Sequence, residues 1–197
     1  MDVWIGTSNK GKLSELSLQL QKEVPQAVIF SLKDLPHYTP PPENGKSFLE
    51  NARIKARSLR SMKPGNWIIA EDSGLEVEAL GGLPGIHSAR YAGAKATDSE
   101  NVAKLLKMMQ IKGAMTQAAR FFCQMVAYTP AGEEILCEGE LKGNIATAQK
   151  GSHGFGYDPV FIPQGESKTL AELGAGYKVQ HSHRSEALRK LLPRMKA

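Results

Sequence analysis

Four short clusters in this chain combine residue types that handle anions, divalent metals and flat aromatic rings. The first is Gly6-Thr7-Ser8-Asn9-Lys10-Gly11-Lys12. A strand that feeds a Gly- and Lys-containing turn into a helix offers backbone N–H groups to an anion, with lysine charges beside them. Gly6 and Gly11-Lys12 match P-loop spacing, but Leu13 follows where a P-loop needs Ser or Thr to reach magnesium. Phosphate binding is expected here; P-loop chemistry is not. The second cluster is Glu71-Asp72, directly after the apolar run Trp67-Ile68-Ile69-Ala70. Carboxylates at the carboxyl end of a buried strand point into the crevice where open α/β folds bind ligands. Magnesium asks for hard oxygen donors, often one or two carboxylates with waters and phosphate oxygens. A neighbouring carboxylate can then activate an attacking water. The plainer reading of such a pair is a helix cap or a solvated acidic patch.

The third cluster is Gly151-Ser152-His153-Gly154-Phe155-Gly156-Tyr157-Asp158-Pro159. Its glycines let backbone approach a flat ligand, while an aromatic side chain stacks on that ligand and Asp158 reads an edge. The alternative is a tight loop whose Phe and Tyr fill the core, and both can hold together. The fourth runs from Lys178 to Arg184 and includes His181, Ser182 and His183. His and Arg at a helix start can hydrogen-bond a base carbonyl or a phosphate, and Ser182 can cap that helix. With no cysteine or third histidine nearby in sequence, the two histidines do not make a zinc site.

The elements that must carry these clusters alternate in type. Asp2 to Gly6 reads as a strand, Leu13, Leu16 and Leu20 recur at helical spacing, and Val28 to Leu32 reads as a second strand. Tyr38 to Gly45 holds three successive prolines and is an extended loop. Ser47 and Glu50 have capping-box spacing ahead of an apolar stripe, which predicts a helix over 46–61. Trp67–Ala70 reads as a strand buried on both faces, followed by the Gly-rich loop Gly81-Gly82-Leu83-Pro84-Gly85. Thr97 with Glu100 opens another helix, with Val102, Leu105, Leu106 and Met109 on its apolar side. Phe121–Tyr128 and Glu134–Leu141 form a hairpin about Pro130-Ala131-Gly132, Pro159–Ile162 is a short strand, and Ala187, Leu188, Leu191 and Leu192 mark a last helix. Without internal repeats, this predicts one α/β domain over residues 1–197.

Bulk properties narrow the class. With 197 residues, 41% hydrophobic and 23% charged, the chain reads as an ordinary globular domain. The net charge of +5 suits an anionic ligand, weak nucleic-acid binding or no partner at all. The basic residues are spread along the chain without the dense clustering that favours nucleic acid. Charge alone decides nothing, so the expected partner, a small-molecule nucleotide and no nucleic acid, comes from the motifs. No apolar run spans a bilayer and the acidic start lacks a signal-peptide pattern, so the expected location is cytoplasmic and off the membrane. Cys123 and Cys137 sit in apolar, strand-like runs and read as buried free thiols.

Taken in order, these clusters resemble the inosine triphosphate pyrophosphatase family, also called the dITP/XTP pyrophosphatases. The resemblance runs from Thr7 to the last helix. It includes Ser47-Phe48-Leu49-Glu50-Asn51-Ala52 with Lys55, Glu71-Asp72-Ser73-Gly74-Leu75, Gly81 to Gly85, Ser88-Ala89-Arg90-Tyr91, Gly154 to Pro159 and Ser182-His183-Arg184. It implies an elongated, two-lobed α/β fold around a central mixed sheet with flanking helices, an active-site cleft between the lobes, and a homodimer. It also implies hydrolysis of ITP, dITP and XTP to the monophosphate and pyrophosphate with Mg²⁺ as cofactor. By position, Thr7, Ser8, Asn9, Lys10, Gly11 and Lys12 would hold the triphosphate and Lys55 would contact it. Asp72 would bind magnesium and act as or orient the general base, with Glu71 beside it, and Glu43 would be a second metal-site carboxylate. Ser73 would lie beside the phosphates, Phe155 would stack on the purine, and Gly156, Tyr157 and Asp158 would complete the wall. Lys178, His183 and Arg184 would recognise a 6-oxo base; adenine would leave a buried donor unpaired, at about 1–3 kcal/mol.

The chain departs from the family pattern in places. Position 71 is Glu where bacterial members often carry Asp, Ser152-His153 replaces small residues, Ala175-Gly176-Tyr177 replaces an acidic stretch, and His181 stands where an apolar residue is usual. Three other readings make distinct predictions. A nucleotide kinase or P-loop ATPase transfers phosphate to an acceptor. A non-enzymatic nucleotide- or RNA-binding module binds without turnover and with steep salt dependence. A related enzyme acting on modified pyrimidines differs only in its base pocket.

Overall fold

A computed structural model describes residues 1–113 and 115–196. Among these residues the strands form one sheet of order β2-β1-β3-β4-β5-β6. They are β1 (Asp2–Ile5), β2 (Val28–Ser31), β3 (Trp67–Val77), β4 (Ala118–Tyr128), β5 (Glu134–Ile145) and β6 (Phe161–Pro163). The helices are α1 (Lys10–Glu23), α2 (Phe48–Met62), α3 (Asp98–Ile111), α4 (Leu170–His181) and α5 (His183–Lys196). β1 runs parallel to both β2 and β3, and β6 runs antiparallel to β5, so the α/β fold has a mixed sheet.

The chain divides into two compact units. Unit 1 comprises Met1–Asp72, Cys123–Gly139 and the chain from Arg184 on; unit 2 comprises Ser73–Phe122 and Glu140–His183.

In unit 1 the strict alternation of strand side chains builds a three-layer core. Val3, Ile5, Trp67, Ile69, Cys123 and Met125 share one face with Leu16 and Leu20 of α1 and Ala187, Leu188 and Leu191 of α5. Trp4, Ile68, Ala70, Val126 and Tyr128 share the other with Ala52, Ala56 and Leu59 of α2. Strands covered on both sides must be apolar throughout, which is why Trp67–Ala70 shows no polar alternation. Unit 2 packs Leu75, Val77, Phe121, Ile145 and Phe161 against Val102, Leu105 and Met109 of α3 and Leu170 of α4.

Most expected elements are present, and the differences have physical causes. β3 does not stop at Ala70 but continues to Val77, so Glu71 and Asp72 lie within a strand and not at its carboxyl end. Leu75 and Val77 are fully buried and carry the strand onward. Pro159 and Val160 belong to a 3-10 turn, and the strand begins only at Phe161, because proline has no N–H for a ladder. Ser47 accepts from Glu50 N, but the Glu50 carboxylate reaches back to Lys46 N, one residue before the cap. At α3 the capping box between Thr97 and Glu100 is complete. The sequence reading assigned no helix over α4, whose own capping box joins Thr169 and Glu172 and whose backbone breaks at Gly174, φ +80°. Ser182 ends α4, its N–H on Lys178 O. Both cysteines are buried and free. No helix among the described residues is long and apolar enough to cross a membrane.

Candidate active site

The candidate residues fall into two groups, one inside each unit. In unit 1, β1 ends at Gly6, whose N–H bonds Ile69 O at 2.8 Å. Thr7 Oγ1 accepts from Asn9 N, and Asn9 Oδ1 accepts from Lys12 N at 3.0 Å, which caps α1. Ser8, Asn9 and Lys10 are exposed at this helix start, while Thr7 is buried. The positive end of the α1 dipole and an exposed lysine together make an anion-receptive edge.

Lys12 turns away from that edge. Its Nζ lies 2.9 Å from Glu71 Oε1, and Arg184 Nε lies 3.5 Å from the same oxygen. Arg184 is also paired with Glu15 of α1. The Glu71 side chain is wholly inaccessible, and Cys123 Sγ approaches its other oxygen at 3.6 Å. Burial alone would raise the Glu71 pKa; the Lys12 and Arg184 charges outweigh that and hold the carboxyl well below the usual range. Glu15, Arg184, Glu71 and Lys12 thus form a buried network of two acids and two bases. Arg184, expected beside the base, is engaged with these acids in unit 1.

Asp72 lies in a different setting. Asn51 Nδ2 donates to Asp72 Oδ2 at 3.1 Å, and Lys55 Nζ lies 3.3 Å from Asp72 Oδ1. The same ammonium is 3.3 Å from Glu43 Oε2 in the proline-rich loop. One turn apart on α2, Asn51 and Lys55 face the same way, and Asn51 Oδ1 also holds the loop through Gly45 N at 2.8 Å. Gly45 is required there: a Cβ would sit 2.7 Å from that oxygen. Burial raises the Asp72 pKa, and the nearby Lys55 and Lys12 charges offset only part of the rise. Burial pulls Lys55 down, but the surrounding carboxylates more than compensate and raise it.

Glu43 and Asp72 converge on one cation, here an ammonium. Two hard carboxylate donors completed by waters and phosphate oxygens are an ordinary donor set for Mg²⁺, so these residues fit the expected metal. No cluster of three or more acid, histidine or cysteine side chains suited to a metal occurs among the described residues.

Unit 2 holds Ser73, Phe155, Gly156, Tyr157, Asp158, Lys178 and His183. Ser73 is half-buried within β3. Asp158 is buried: its Oδ2 accepts from Phe155 N at 2.9 Å and from Lys178 Nζ at 2.7 Å. Lys178, itself buried, lies 4.2 Å from the centre of the Phe155 ring. Gly154 has φ +82°, and a Cβ there would meet Asp158 Oδ2 at 2.0 Å, so only glycine fits. Tyr157 is buried, its hydroxyl donates to Ser88 O at 2.8 Å, and burial pushes its pKa well up. His183 is buried and stacks on Phe121, with ring centres 4.9 Å apart. His181 is exposed and packs beside Tyr177.

Sequence reasoning gave no role to Asn51, Glu15, Ser88 or Asp98. Asn51 sits one helical turn before Lys55, a spacing that could have flagged it. Glu15 lies 169 residues from its partner, and no local signal marks it.

Residues 3–194 match the Ham1 family. A "dITP/XTP pyrophosphatase" of Bdellovibrio bacteriovorus is 56% identical over 195 residues, covering 99% of this chain and 98% of that protein. A protein of the same name from Bacillus licheniformis is 43% identical over 192 residues, covering 96% and 95%. The solved structure of a HAM1 protein from Coxiella burnetii superposes with a TM-score of 0.88 at 32% identity, covering 100% of this chain and 98% of that one. Matched along nearly its whole length in sequence and in fold, the chain belongs to the Ham1 family.

Proposed function

We propose that the chain is a nucleoside-triphosphate pyrophosphatase that hydrolyses non-canonical purine nucleotides, ITP, dITP and XTP, to the monophosphate and pyrophosphate. The observation that carries this reading is the convergence of Asp72, Glu43 and Lys55 in unit 1. The names of the relatives support the substrate class. The reading treats residues 1–197 as one functional domain, acting as a cytoplasmic homodimer on a small-molecule nucleotide.

Hydrolysis between the α- and β-phosphates needs a water oxygen to attack the α-phosphorus, a base to take its proton, and charge to stabilise departing pyrophosphate. Asp72 is the base by this argument. Asp72 faces the Lys55 ammonium and the Glu43 loop, whereas the Glu71 side chain has no solvent access and is engaged by Lys12 and Arg184. Asn51 fixes the Asp72 carboxylate through one oxygen and leaves the other toward Lys55. Lys55 moves its charge from the carboxylates to the triphosphate, and the α1 start with Ser8, Asn9 and Lys10 receives the phosphate tail. Asp72 and Glu43 are the residues that would hold Mg²⁺, which when bound would supply positive charge against the phosphates. In unit 2 Phe155 provides the stacking face, and Lys178 and His183 provide donors for a 6-oxo base. Lys12, at the P-loop position, is ion-paired with Glu71, which disfavours the kinase reading.

The test is a turnover panel of ITP, dITP, XTP, GTP, ATP and dUTP with and without Mg²⁺, counting pyrophosphate and orthophosphate separately. Pyrophosphate from ITP or XTP, little from ATP, and none with Asp72→Asn is the expected result. Orthophosphate alone, or tight binding with no turnover, sinks the proposal.

A further inference from the structure

We infer that Asp98, in the first turn of α3, is a positioning residue that sets the height and angle of the Phe155 stacking face. The inference rests on the proposed function for its kinetic consequence, though not for its geometry.

Phe155 sits in a loop held by two consecutive peptide groups. Its own N–H donates to Asp158 Oδ2, and the next N–H, of Gly156, donates to Asp98 Oδ2 at 2.7 Å. The two carboxylates come from different parts of the chain, Asp158 from within the loop and Asp98 from the first turn of α3. With both in place, the peptide carrying the Phe155 ring cannot rotate without losing a charge-assisted bond. Gly154 and Gly156 both have positive φ, +82° and +61°, so the intrinsic backbone preference there is weak and external anchors must choose the conformation. Asp98 supplies one such anchor and the Tyr157 hydroxyl on Ser88 O supplies another.

The ordinary explanation of an acid in a first helical turn is a favourable interaction with the helix dipole. That role is already filled by the Thr97–Glu100 capping box, in which Glu100 Oε2 accepts from both Thr97 N and Thr97 Oγ1. The Asp98 carboxylate instead leaves its own helix for an amide 58 residues away.

The side chain is exposed, so substitution leaves the fold intact. Three variants separate positioning from helix support: Asp98→Ala removes the acceptor, Asp98→Asn keeps an oxygen for the Gly156 amide, and Glu100→Gln weakens the helix start alone. Two readouts are taken on the full chain, hydrogen exchange at the Gly156 amide and kcat with KM for ITP. For Asp98→Ala, exchange at Gly156 rises about tenfold, and KM rises roughly five- to tenfold while kcat stays within about twofold. Asp98→Asn stays near the parent in both, and Glu100→Gln leaves KM unmoved. The inference is overturned if Asp98→Ala changes neither exchange nor KM, if kcat falls in place of KM rising, or if Glu100→Gln reproduces the KM effect. If the parent protein releases no pyrophosphate at all, the proposed function fails, and exchange at Gly156 alone decides whether Asp98 holds the loop.

Discussion

Replacing Glu71 by Gln should destabilise unit 1 strongly, and replacing Lys12 as well should return part of the loss. The network Glu15, Arg184, Glu71 and Lys12 carries two negative and two positive charges, and the Glu71 side chain has no solvent access. At an effective dielectric of 20, ion pairs at 2.9 and 3.5 Å correspond to gross attractions of about 6 and 5 kcal/mol. Most of this offsets the desolvation of the ions, so the net figure comes from breaking the network, about 3–5 kcal/mol for one lost partner in a buried pair. Arg184 keeps Glu15, and the Lys12 side chain is 15% exposed and can reach water, which favours the lower end. Glu71→Gln should therefore cost about 3 kcal/mol, or roughly 6–12 °C in Tm for a chain of this size. Glu71→Gln leaves the network one charge positive, Lys12→Met leaves it one charge negative, and the double variant is neutral again. Its destabilisation should fall short of the sum by about 1–3 kcal/mol.

Urea unfolding followed by tryptophan fluorescence measures this directly, because Trp4 and Trp67 are both buried in unit 1. The pH dependence provides a second check. A carboxyl whose folded pKa is depressed contributes stability that is fully present above its unfolded value, near 4.3, and is lost as pH falls toward the folded value. The gap between the parent and Glu71→Gln should thus narrow below about pH 4, with a slope of at most about 1.4 kcal/mol per pH unit. A Glu71→Gln cost under about 0.5 kcal/mol, or a double variant equal to the sum of the singles, would refute the reasoning.

Two further substitutions probe the two groups of site residues. Lys55→Met removes the ammonium between Glu43 and Asp72, so Mn²⁺ titrated calorimetrically without nucleotide should bind about tenfold tighter or better, while hydrolysis of ITP falls; weaker Mn²⁺ binding would contradict the picture of two carboxylates sharing one cation. Gly154→Ala places a Cβ 2.0 Å from Asp158 Oδ2 at a positive φ, which should cost about 2–5 kcal/mol through strain and the lost Phe155 N–H bond. A thermal melt unchanged within about 2 °C, together with an unaltered KM for ITP, would show that the loop has another way to close.

What the sequence disclosed was local. The caps at Ser47 and Thr97, the apolar stripe of α2 and the hairpin turn at Pro130-Ala131-Gly132 are each written within a few residues, and each is present. α4 escaped notice because Gly174 and Gly176 dilute its periodicity, although Thr169 and Glu172 carried the same capping signal as Thr97 and Glu100. The continuation of β3 past Ala70 is hidden for a different reason. Two adjacent carboxylates after four apolar residues look like the point where a strand meets water, and by composition they should be. They are buried because Lys12, Arg184 and Lys55 arrive from three separate helices to compensate them.

Adjacency along the chain also grouped residues that the fold assigns to different tasks. His183 and Arg184 look like one recognition pair, yet His183 stacks on Phe121 in unit 2 while Arg184 holds Glu71 and Glu15 in unit 1. Glu71 and Asp72 are split by the alternation of a strand, which sends neighbouring side chains to opposite faces. One carboxylate goes to the face shared with α1 and α5, where Lys12 and Arg184 hold its pKa down. The other goes to the face shared with α2 and keeps a raised pKa beside a lysine. A paired acidic motif therefore does not mean two equivalent acids. On one strand, the parity of the position decides which carboxylate meets Lys12 and Arg184 and which meets Asn51 and Lys55, and parity can be read as soon as the strand is known to continue.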